Sequence, residues 1–235
     1  MIIKGLQKTT LLDYPGEIAC TVFLAGCNMR CPYCHNPSIV FGEGEDISVD
    51  ELIGFLKSRV GRLGAVCISG GEPTLHSDLR RLIESIKELG FLVKLDTNGT
   101  NPKMLSELIQ DRLVDYVAMD IKNSPEKYIE TAGLSSECRA QSAELILDNI
   151  KQSVAILMQN RVEYEFRTTV TAQLHSVEDM DSIGRLIGRA EKYFLQYYRE
   201  EGEQIVGGFT TPDRENMRAL LERIKKYVPK AEIRG

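Results

Sequence analysis

Short apolar runs of strand length alternate along the chain with segments whose apolar residues recur at helical spacing. The apolar runs predict six strands, at residues 18–26, 65–70, 91–97, 116–122, 162–171 and 193–198. The segments that follow them predict six helices, at residues 48–60, 78–89, 103–113, 142–160, 176–190 and 212–228. Six strand–helix units in succession predict a parallel sheet whose strands are joined by crossover helices.

The fifth predicted strand alternates between apolar and polar side chains. Tyr164 and Phe166 would face one side of the sheet, and Glu165 and Arg167 the other. A flat, doubly wound sheet buried on both faces would be apolar on both, so this strand favours a barrel with a polar lumen. A complete eight-unit barrel typically needs about 250 residues, and only six strands are found. We therefore expect an α/β fold, a partial (β/α)6 TIM-like barrel of parallel strands, in a single domain over residues 1–235.

The composition is that of an ordinary globular protein, with 43% hydrophobic and 27% charged residues. No apolar run approaches the roughly 20 residues that span a bilayer, and the first residues lack the pattern of a secretory signal. With 34 acidic against 29 basic residues, the net charge is −5 and no basic cluster stands out. We therefore expect a cytoplasmic protein with neither a membrane nor a nucleic acid as partner.

Three of the six cysteines lie within eight positions, at Cys27, Cys31 and Cys34. In a reducing compartment, clustered thiols indicate metal or redox chemistry rather than disulfide bonds. The other three are single: Cys20 and Cys67 lie in apolar runs and are predicted to be small buried residues, and Cys138 is predicted to lie in a loop without an assigned role.

The number of ligands separates the candidate metal sites. Structural zinc takes four ligands, but His35 directly follows Cys34 in the chain, and adjacent residues seldom face one metal. His76 and His175 are distant in the sequence and are predicted to be surface or helix-start residues. Three thiolates leave one coordination position open, as an iron–sulfur cluster tolerates. The spacing therefore favours an iron–sulfur cluster, with zinc, redox thiols and coincidence as the alternatives.

Polar residues follow the ends of the predicted strands, where parallel α/β folds place their working residues. They are the segments 69–74 (SGGEPT), 96–99 (DTNG) and 120–123 (DIKN), together with Arg167 and Thr169. Each segment alone could be an ordinary turn, and Asp120 with Lys122 could be a surface ion pair. An inward arginine requires an anionic partner. Together these clusters predict a ligand site beside the three thiols.

The spacing CxxxCxφC, with Tyr33 as the aromatic position, and the segment Gly70-Gly71-Glu72-Pro73 resemble the signature of radical S-adenosylmethionine (SAM) enzymes. Five further segments, at residues 12–16, 23–27, 34–37, 96–99 and 120–122, resemble the glycyl-radical-enzyme activases. Among these, the chain is most similar to the activating proteins of anaerobic ribonucleoside-triphosphate reductase, and the pyruvate formate-lyase activases are a related group that it also resembles. The resemblance covers roughly residues 10–171.

The resemblance implies a cofactor set and a role for each matched residue. Cys27, Cys31 and Cys34 would hold a [4Fe–4S] cluster, whose open iron binds the amine and carboxylate of SAM. Around SAM, Tyr33 would lie against the adenine, the methionyl ammonium would contact Gly70, Gly71 and Glu72, and the ribose or carboxylate would contact Asn98, Lys122 and Arg167. Asp96, Thr97 and Asp120 match positions that hold a monovalent cation in the pyruvate formate-lyase activase, so Asp96 and Asp120 would serve either that cation or SAM.

The resemblance also implies the reaction. One electron from the reduced cluster would cleave SAM to methionine and a 5′-deoxyadenosyl radical, which takes a hydrogen atom from a glycine of a partner glycyl radical enzyme. A flavodoxin or ferredoxin would supply the electron. The partner would be an anaerobic ribonucleotide reductase or, alternatively, another glycyl radical enzyme such as pyruvate formate-lyase. A radical SAM enzyme for a small molecule, similar to 7-carboxy-7-deazaguanine synthase, and a non-enzymatic electron carrier or zinc module are the other readings.

Overall fold

The computed structural model describes residues 1–134, 140–200 and 202–235, so that Cys138 lies outside the described residues. Its strands are β1 (Ile3–Thr10), β2 (Ala19–Leu24), β3 (Ala65–Gly70), β4 (Leu92–Thr97), β5 (Tyr116–Asp120), β6 (Glu163–Val170), β7 (Tyr193–Tyr197) and β8 (Glu232–Arg234). Its helices are α1 (Pro37–Phe41), α2 (Val49–Lys57), α3 (Leu79–Glu88), α4 (Pro102–Gln110), α5 (Tyr128–Thr131), α6 (Ala140–Leu157), α7 (Val177–Ile187) and α8 (Arg214–Ile224), with a short 3-10 turn at Pro73–Leu75.

The strands form one sheet in the order of the chain, from β1 at one edge to β8 at the other. β2 to β8 are parallel, and β1 runs antiparallel to β2. The six predicted strands are confirmed as β2–β7. The two edge strands were not predicted, because β8 has only three residues and the sequence of β1, IKGLQKTT, does not alternate between apolar and polar residues.

The sheet curves around a lumen. In a flat sheet β2 and β5 would be about 14 Å apart, three strand spacings. The ring of Tyr14, in the connection between β1 and β2, nevertheless lies 5.9 Å from the ring of Tyr116 on β5, centroid to centroid. These two tyrosines form a small apolar cluster with Ala19, Ala65 and Cys67 that fills one end of the lumen. In the part of the chain that the structure describes, β1 and β8 are the edges of the sheet and do not pair with each other, so the barrel is open on one side.

The alternation predicted for β6 is confirmed. Tyr164 and Phe166 belong to the main apolar core. Glu165 and Arg167 instead form polar contacts inside the lumen: Glu165 accepts a hydrogen bond from the Tyr116 hydroxyl at 2.9 Å, and Arg167 pairs with Asp120. Among the described residues, no helix has both the length and the hydropathy that crossing a bilayer requires.

Candidate active site

One cavity of about 230 Å³ lies at the carboxyl ends of the parallel strands. It brings together all of the predicted site residues except Glu72: Cys27, Cys31, Tyr33, Cys34, Gly70, Gly71, Asp96, Thr97, Asn98, Asp120, Lys122 and Arg167. These residues come from the loop after β2, from the ends of β3, β4 and β5 with the loops that follow them, and from β6 itself. The fold therefore gathers at one place the groups that are spread over most of the sequence.

The cysteine loop after β2 is packed against the body of the protein. Cys31 is 8% exposed and, with Met29 and Tyr33, belongs to the main core. The Arg30 amide donates a 2.9 Å hydrogen bond to the carbonyl of Ala132, at the end of α5. The loop is therefore part of the core, because its alternate side chains at Met29, Cys31 and Tyr33 turn inward.

The three thiols line one cavity without converging on a single point. Among the described residues, no group of three or more histidine, cysteine, aspartate or glutamate side chains is close enough to bind one metal ion. Three thiols are one short of the four ligands of a structural zinc site, and they suit an iron–sulfur cluster that leaves one coordination position open. Burial raises the pKa of Cys27, and it raises that of Cys31 to about 11. Binding a metal would therefore release protons from these thiols.

The glycine pair after β3 is required by a close approach to the end of β2. A Cβ atom on Gly71 would lie 1.9 Å from the carbonyl oxygen of Gly26, and one on Gly70 would lie 2.4 Å from backbone atoms of Leu24. Gly70 also has a φ of +116°, which side chains other than glycine's rarely adopt. Only glycines at both positions let this backbone line the cavity.

The side chain of Glu72 does not reach the cavity. It is fully buried, and its Oε1 atom accepts hydrogen bonds from the Thr74 amide, the Thr74 hydroxyl and the Thr97 hydroxyl. Its Oε2 atom accepts a 2.6 Å hydrogen bond from the Asn98 amide. Burial raises the pKa of Glu72, although these donors oppose the shift. The structure thus places the Glu72 carboxylate outside the cavity, where it ties the loop after β3 to the loop after β4.

Charged side chains on neighbouring strands pair with one another inside the cavity. Asp96 accepts hydrogen bonds from Lys94 at 2.6 Å and from Ser69 at 3.0 Å. Asp120 accepts from Lys122 at 2.9 Å and from the Nε atom of Arg167 at 3.0 Å. The anionic partners expected for Arg167 are therefore the chain's own carboxylates.

These pairs keep both aspartates ionised. Burial alone would raise the pKa of Asp96, but Arg167 and Lys94 hold it below its usual range. Arg167 and Lys122 have the same effect on the pKa of Asp120. The cavity thus presents two carboxylates that are already neutralised by cationic side chains. Sequence reasoning assigned no role to Lys94, although its place two residues before Asp96 puts both on one face of the strand.

The aromatic and amide residues of the site are held by neighbouring groups. The ring of Tyr33 packs edge-on against Tyr198, with 6.2 Å between the ring centroids. The Asn98 side-chain amide donates a 2.8 Å hydrogen bond to Asn28. His175, predicted to be a surface or helix-start residue, directly precedes Ser176, the N-cap of α7, and is buried. Its Nδ1 accepts from the Thr171 amide, and its Nε2 donates to the Lys122 carbonyl at 2.9 Å. That contact ties the loop after β5 to the end of β6.

A second cavity, of about 760 Å³, shares His35, Arg167 and Thr169 with the first. It is bounded by residues 11–16 on one side of the barrel opening and by β7 and β8 on the other. Leu11 and Leu12, at its rim, are 71% and 87% exposed. The open side of the barrel therefore leads from an apolar rim to the thiol-lined cavity.

Comparison with known proteins shows the family to which the chain belongs. A profile of the radical SAM superfamily matches residues 21–165. A Methanocaldococcus jannaschii protein, provisionally named a glycyl-radical enzyme activating enzyme, is 34% identical over 239 positions, which cover 99% of this chain and 95% of the relative. The pyruvate formate-lyase-activating enzyme of Streptococcus mutans is 33% identical over 63% of this chain and 60% of its own length. The 7-carboxy-7-deazaguanine synthase of Aquifex aeolicus is 36% identical, but over only 33% of this chain and 34% of its own.

The fold is shared with a solved structure of low sequence identity. Streptococcus suis SuiB, bound to its precursor peptide SuiA, superposes with a TM-score of 0.69 over 92% of this chain at 16% identity. The chain spans about half the length of SuiB, 48%. SuiB has also been solved with S-adenosylmethionine bound. The expected partial TIM barrel is confirmed, and the chain belongs to the radical SAM superfamily of enzymes, whose cofactors are a [4Fe–4S] cluster and SAM.

Proposed function

We propose that the chain is an activating enzyme that generates a glycyl radical on a partner enzyme, and that this partner is an anaerobic ribonucleoside-triphosphate reductase. The observation that carries the proposal is the single cavity that gathers the three thiols, the paired glycines and the charged strand ends. The relative named for glycyl-radical enzyme activation supports the substrate class, because it aligns with 99% of the chain, against 33% for the deazaguanine synthase.

In this proposal Cys27, Cys31 and Cys34 are the cluster ligands. The burial of Cys31 supports the assignment, because a cluster on a buried loop is shielded from water. When bound, the cluster and SAM supply one-electron cleavage of the sulfonium and a reactive carbon radical. A flavodoxin or ferredoxin is the proposed electron donor. The protein's own part is to position SAM and exclude water.

The SAM contacts that we propose follow from the groups on the cavity surface. The backbone of Gly70 and Gly71 receives the methionyl ammonium, and Lys122 receives the carboxylate. Arg167 contributes mainly through Nη1, because its Nε and Nη2 atoms each lie 3.0 Å from Asp120. We place the ribose near Asn98 and the adenine near Tyr33, which both line the cavity.

The partner's glycine would reach the site through the second cavity. A peptide needs an opening at the side of the barrel, and the 760 Å³ space beside Arg167 and Thr169 provides one. The exposed Leu11 and Leu12 at its rim offer apolar surface to a protein rather than to a small polar molecule. A short peptide that carries the partner's glycine should therefore compete with the partner for activation.

The cluster assignment is tested by iron content. After anaerobic reconstitution with iron and sulfide, we expect Cys31→Ala to lose bound iron and the ability to cleave SAM. Cys20→Ala is the matched control, because Cys20 is a buried thiol on β2 outside the site, and this variant should retain iron. Equal iron content in the two variants would contradict the ligand assignment.

The partner is tested by electron paramagnetic resonance. The reconstituted enzyme is mixed anaerobically with SAM, a low-potential reductant and the ribonucleotide reductase, and we expect a glycyl radical that disappears when the partner's glycine is replaced by alanine. A radical only on pyruvate formate-lyase would change the partner and keep the class. Consumption of SAM with a small molecule and with neither protein would overturn the activase proposal.

A further inference from the structure

Lys94 is a buried lysine in the middle of β4. Its side chain is 3% exposed, and its neighbours Val93 and Leu95 are buried in the main core on the opposite face of the strand. On the lumen face, its Nζ atom donates a 2.6 Å hydrogen bond to Oδ1 of Asp96. A lysine is seldom buried to this degree unless it is paired, so its charge belongs to the structure of the site.

The charges around the two aspartates are not equal in number. Asp96 and Asp120 face three cations: Lys94 at 2.6 Å from Asp96, Lys122 at 2.9 Å from Asp120, and Arg167, which reaches Asp120 at 3.0 Å and Asp96 at 3.6 Å. Glu165 also acts on Arg167, but it is balanced by Arg234, with which it pairs at 2.9 Å. Three positive charges against two negative ones therefore leave an excess of one. The carboxylate of the SAM methionine, placed here under the proposed function, would balance that excess.

The same count without Lys94 has the opposite sign. Lys122 and Arg167 would then face Asp96, Asp120 and the SAM carboxylate, which is two positive charges against three negative ones. In a partly buried site an unbalanced carboxylate is costly. One monovalent cation beside Asp96 would restore the balance, and Lys94 already provides that charge from within the chain.

We propose that Lys94 is a built-in monovalent cation: a positioning residue whose ammonium holds Asp96 in place and makes SAM binding independent of sodium and potassium ions. The inference rests on the proposed SAM site, and it replaces the expectation that Asp96, Thr97 and Asp120 hold a free monovalent cation. Because Asp96 also contacts Ser69 on β3 and Arg167 on β6, its placement by Lys94 connects three strands at the floor of the cavity.

The test exchanges the salt at constant ionic strength among potassium, sodium and choline chloride. In the wild-type protein, we expect the same SAM dissociation constant in all three salts. In Lys94→Met, SAM should bind about tenfold more weakly in choline chloride, which corresponds to ~1.4 kcal/mol, and potassium or sodium should restore most of the loss. The unfolding temperature of the cluster-free variant should also rise with potassium or sodium but not with choline, a readout that needs neither cluster nor SAM.

Lys192→Met is the matched control, because Lys192 pairs with Glu163 at 2.8 Å at the exposed start of β6, and it should show no such salt effect. A wild-type protein that needs potassium or sodium for SAM binding would overturn the proposal, and it can be measured even if Lys94→Met does not fold. A variant that no cation rescues would also overturn it. Failure of the wild type to bind SAM in any salt would instead contradict the proposed function.

Discussion

The substitution Glu72→Gln tests whether Glu72 holds two loops of the site together or contacts SAM directly. In the structure, the two carboxylate oxygens accept backbone amides on opposite sides: Thr74 donates to Oε1 and Asn98 to Oε2. A glutamine has one oxygen and one NH2 group in their place. Whichever way the amide is turned, one N–H donor points at another, and one of the two buried backbone amides loses its acceptor.

The cost follows from that single lost bond. A buried donor without an acceptor costs about 1–3 kcal/mol. For a chain of about this length, each kcal/mol lowers the unfolding temperature by about 2–4 °C, so Glu72→Gln should lower it by about 2–12 °C. The Asn98 amide is one of the two groups at risk, so the loop after β4 should shift and SAM should also bind more weakly.

The assay measures both quantities on the same preparations. Thermal unfolding of the SAM-free protein measures how much the hydrogen bonds of Glu72 stabilise the fold, and calorimetric titration of the reconstituted protein measures the affinity for SAM. Glu84→Gln is the control, because Glu84 forms an exposed ion pair with Arg80, and such a pair is worth about 0–1 kcal/mol. Weaker SAM binding with an unchanged unfolding temperature would contradict the role of Glu72 in holding the two loops together, and it would indicate that Glu72 contacts SAM directly.

Two further substitutions test how the loops are held. Burial lowers the pKa of His175, so its neutral ring stabilises the fold above the unfolded pKa of 6.5, and that contribution is lost as the pH falls toward the lower folded value. In urea unfolding, His175→Gln should therefore lose less stability than the wild type between about pH 8 and pH 5. A pH profile equal to that of the wild type would contradict this expectation. A Cβ atom on Gly133 would lie 1.8 Å from the Arg30 carbonyl oxygen, so Gly133→Ala should displace the cysteine loop and reduce bound iron. Gly90→Ala shares the positive φ but meets no atom within 4 Å, and equal iron in both variants would show that the loop does not depend on this contact.

The strands of the barrel could be predicted because their signal is local. β2–β7 are apolar runs or strict alternations bounded by turn residues, and their bounds differ from the predicted ones by at most a few positions. β8 has no such signal, since three residues are too few for a period. It is nevertheless important: Arg234, one residue from the end of the chain, pairs with the buried Glu165 at 2.9 Å. That pairing depends on β8 docking beside β7, two strands from Glu165, which no short segment encodes.

Which residues belong to the site could be predicted from the sequence better than what each side chain contacts. The three cysteines are close in sequence, and the polar strand ends must meet at one edge of a parallel sheet, so the gathering of both at one cavity follows from topology. The direction of each side chain does not. Glu72 turns away from the cavity because its acceptor atoms meet donors from Thr97 and Asn98, about 25 residues later in the chain. A motif places a residue near the site, but the long-range donors decide which way it faces.

The pairing of Arg167 with Asp96 and Asp120 affects how the site can bind a ligand. The sequence indicated only that an inward arginine needs an anion, and a SAM carboxylate would satisfy that need. The structure supplies the anions in advance, because Asp120 and Asp96 already face the guanidinium. A bound carboxylate therefore gains little from a bidentate fork that is already engaged, and it gains more from the one uncompensated positive charge that Lys94, Lys122 and Arg167 share. If so, the affinity for SAM is set by the charge balance of the lumen, and residues that never contact SAM can control it.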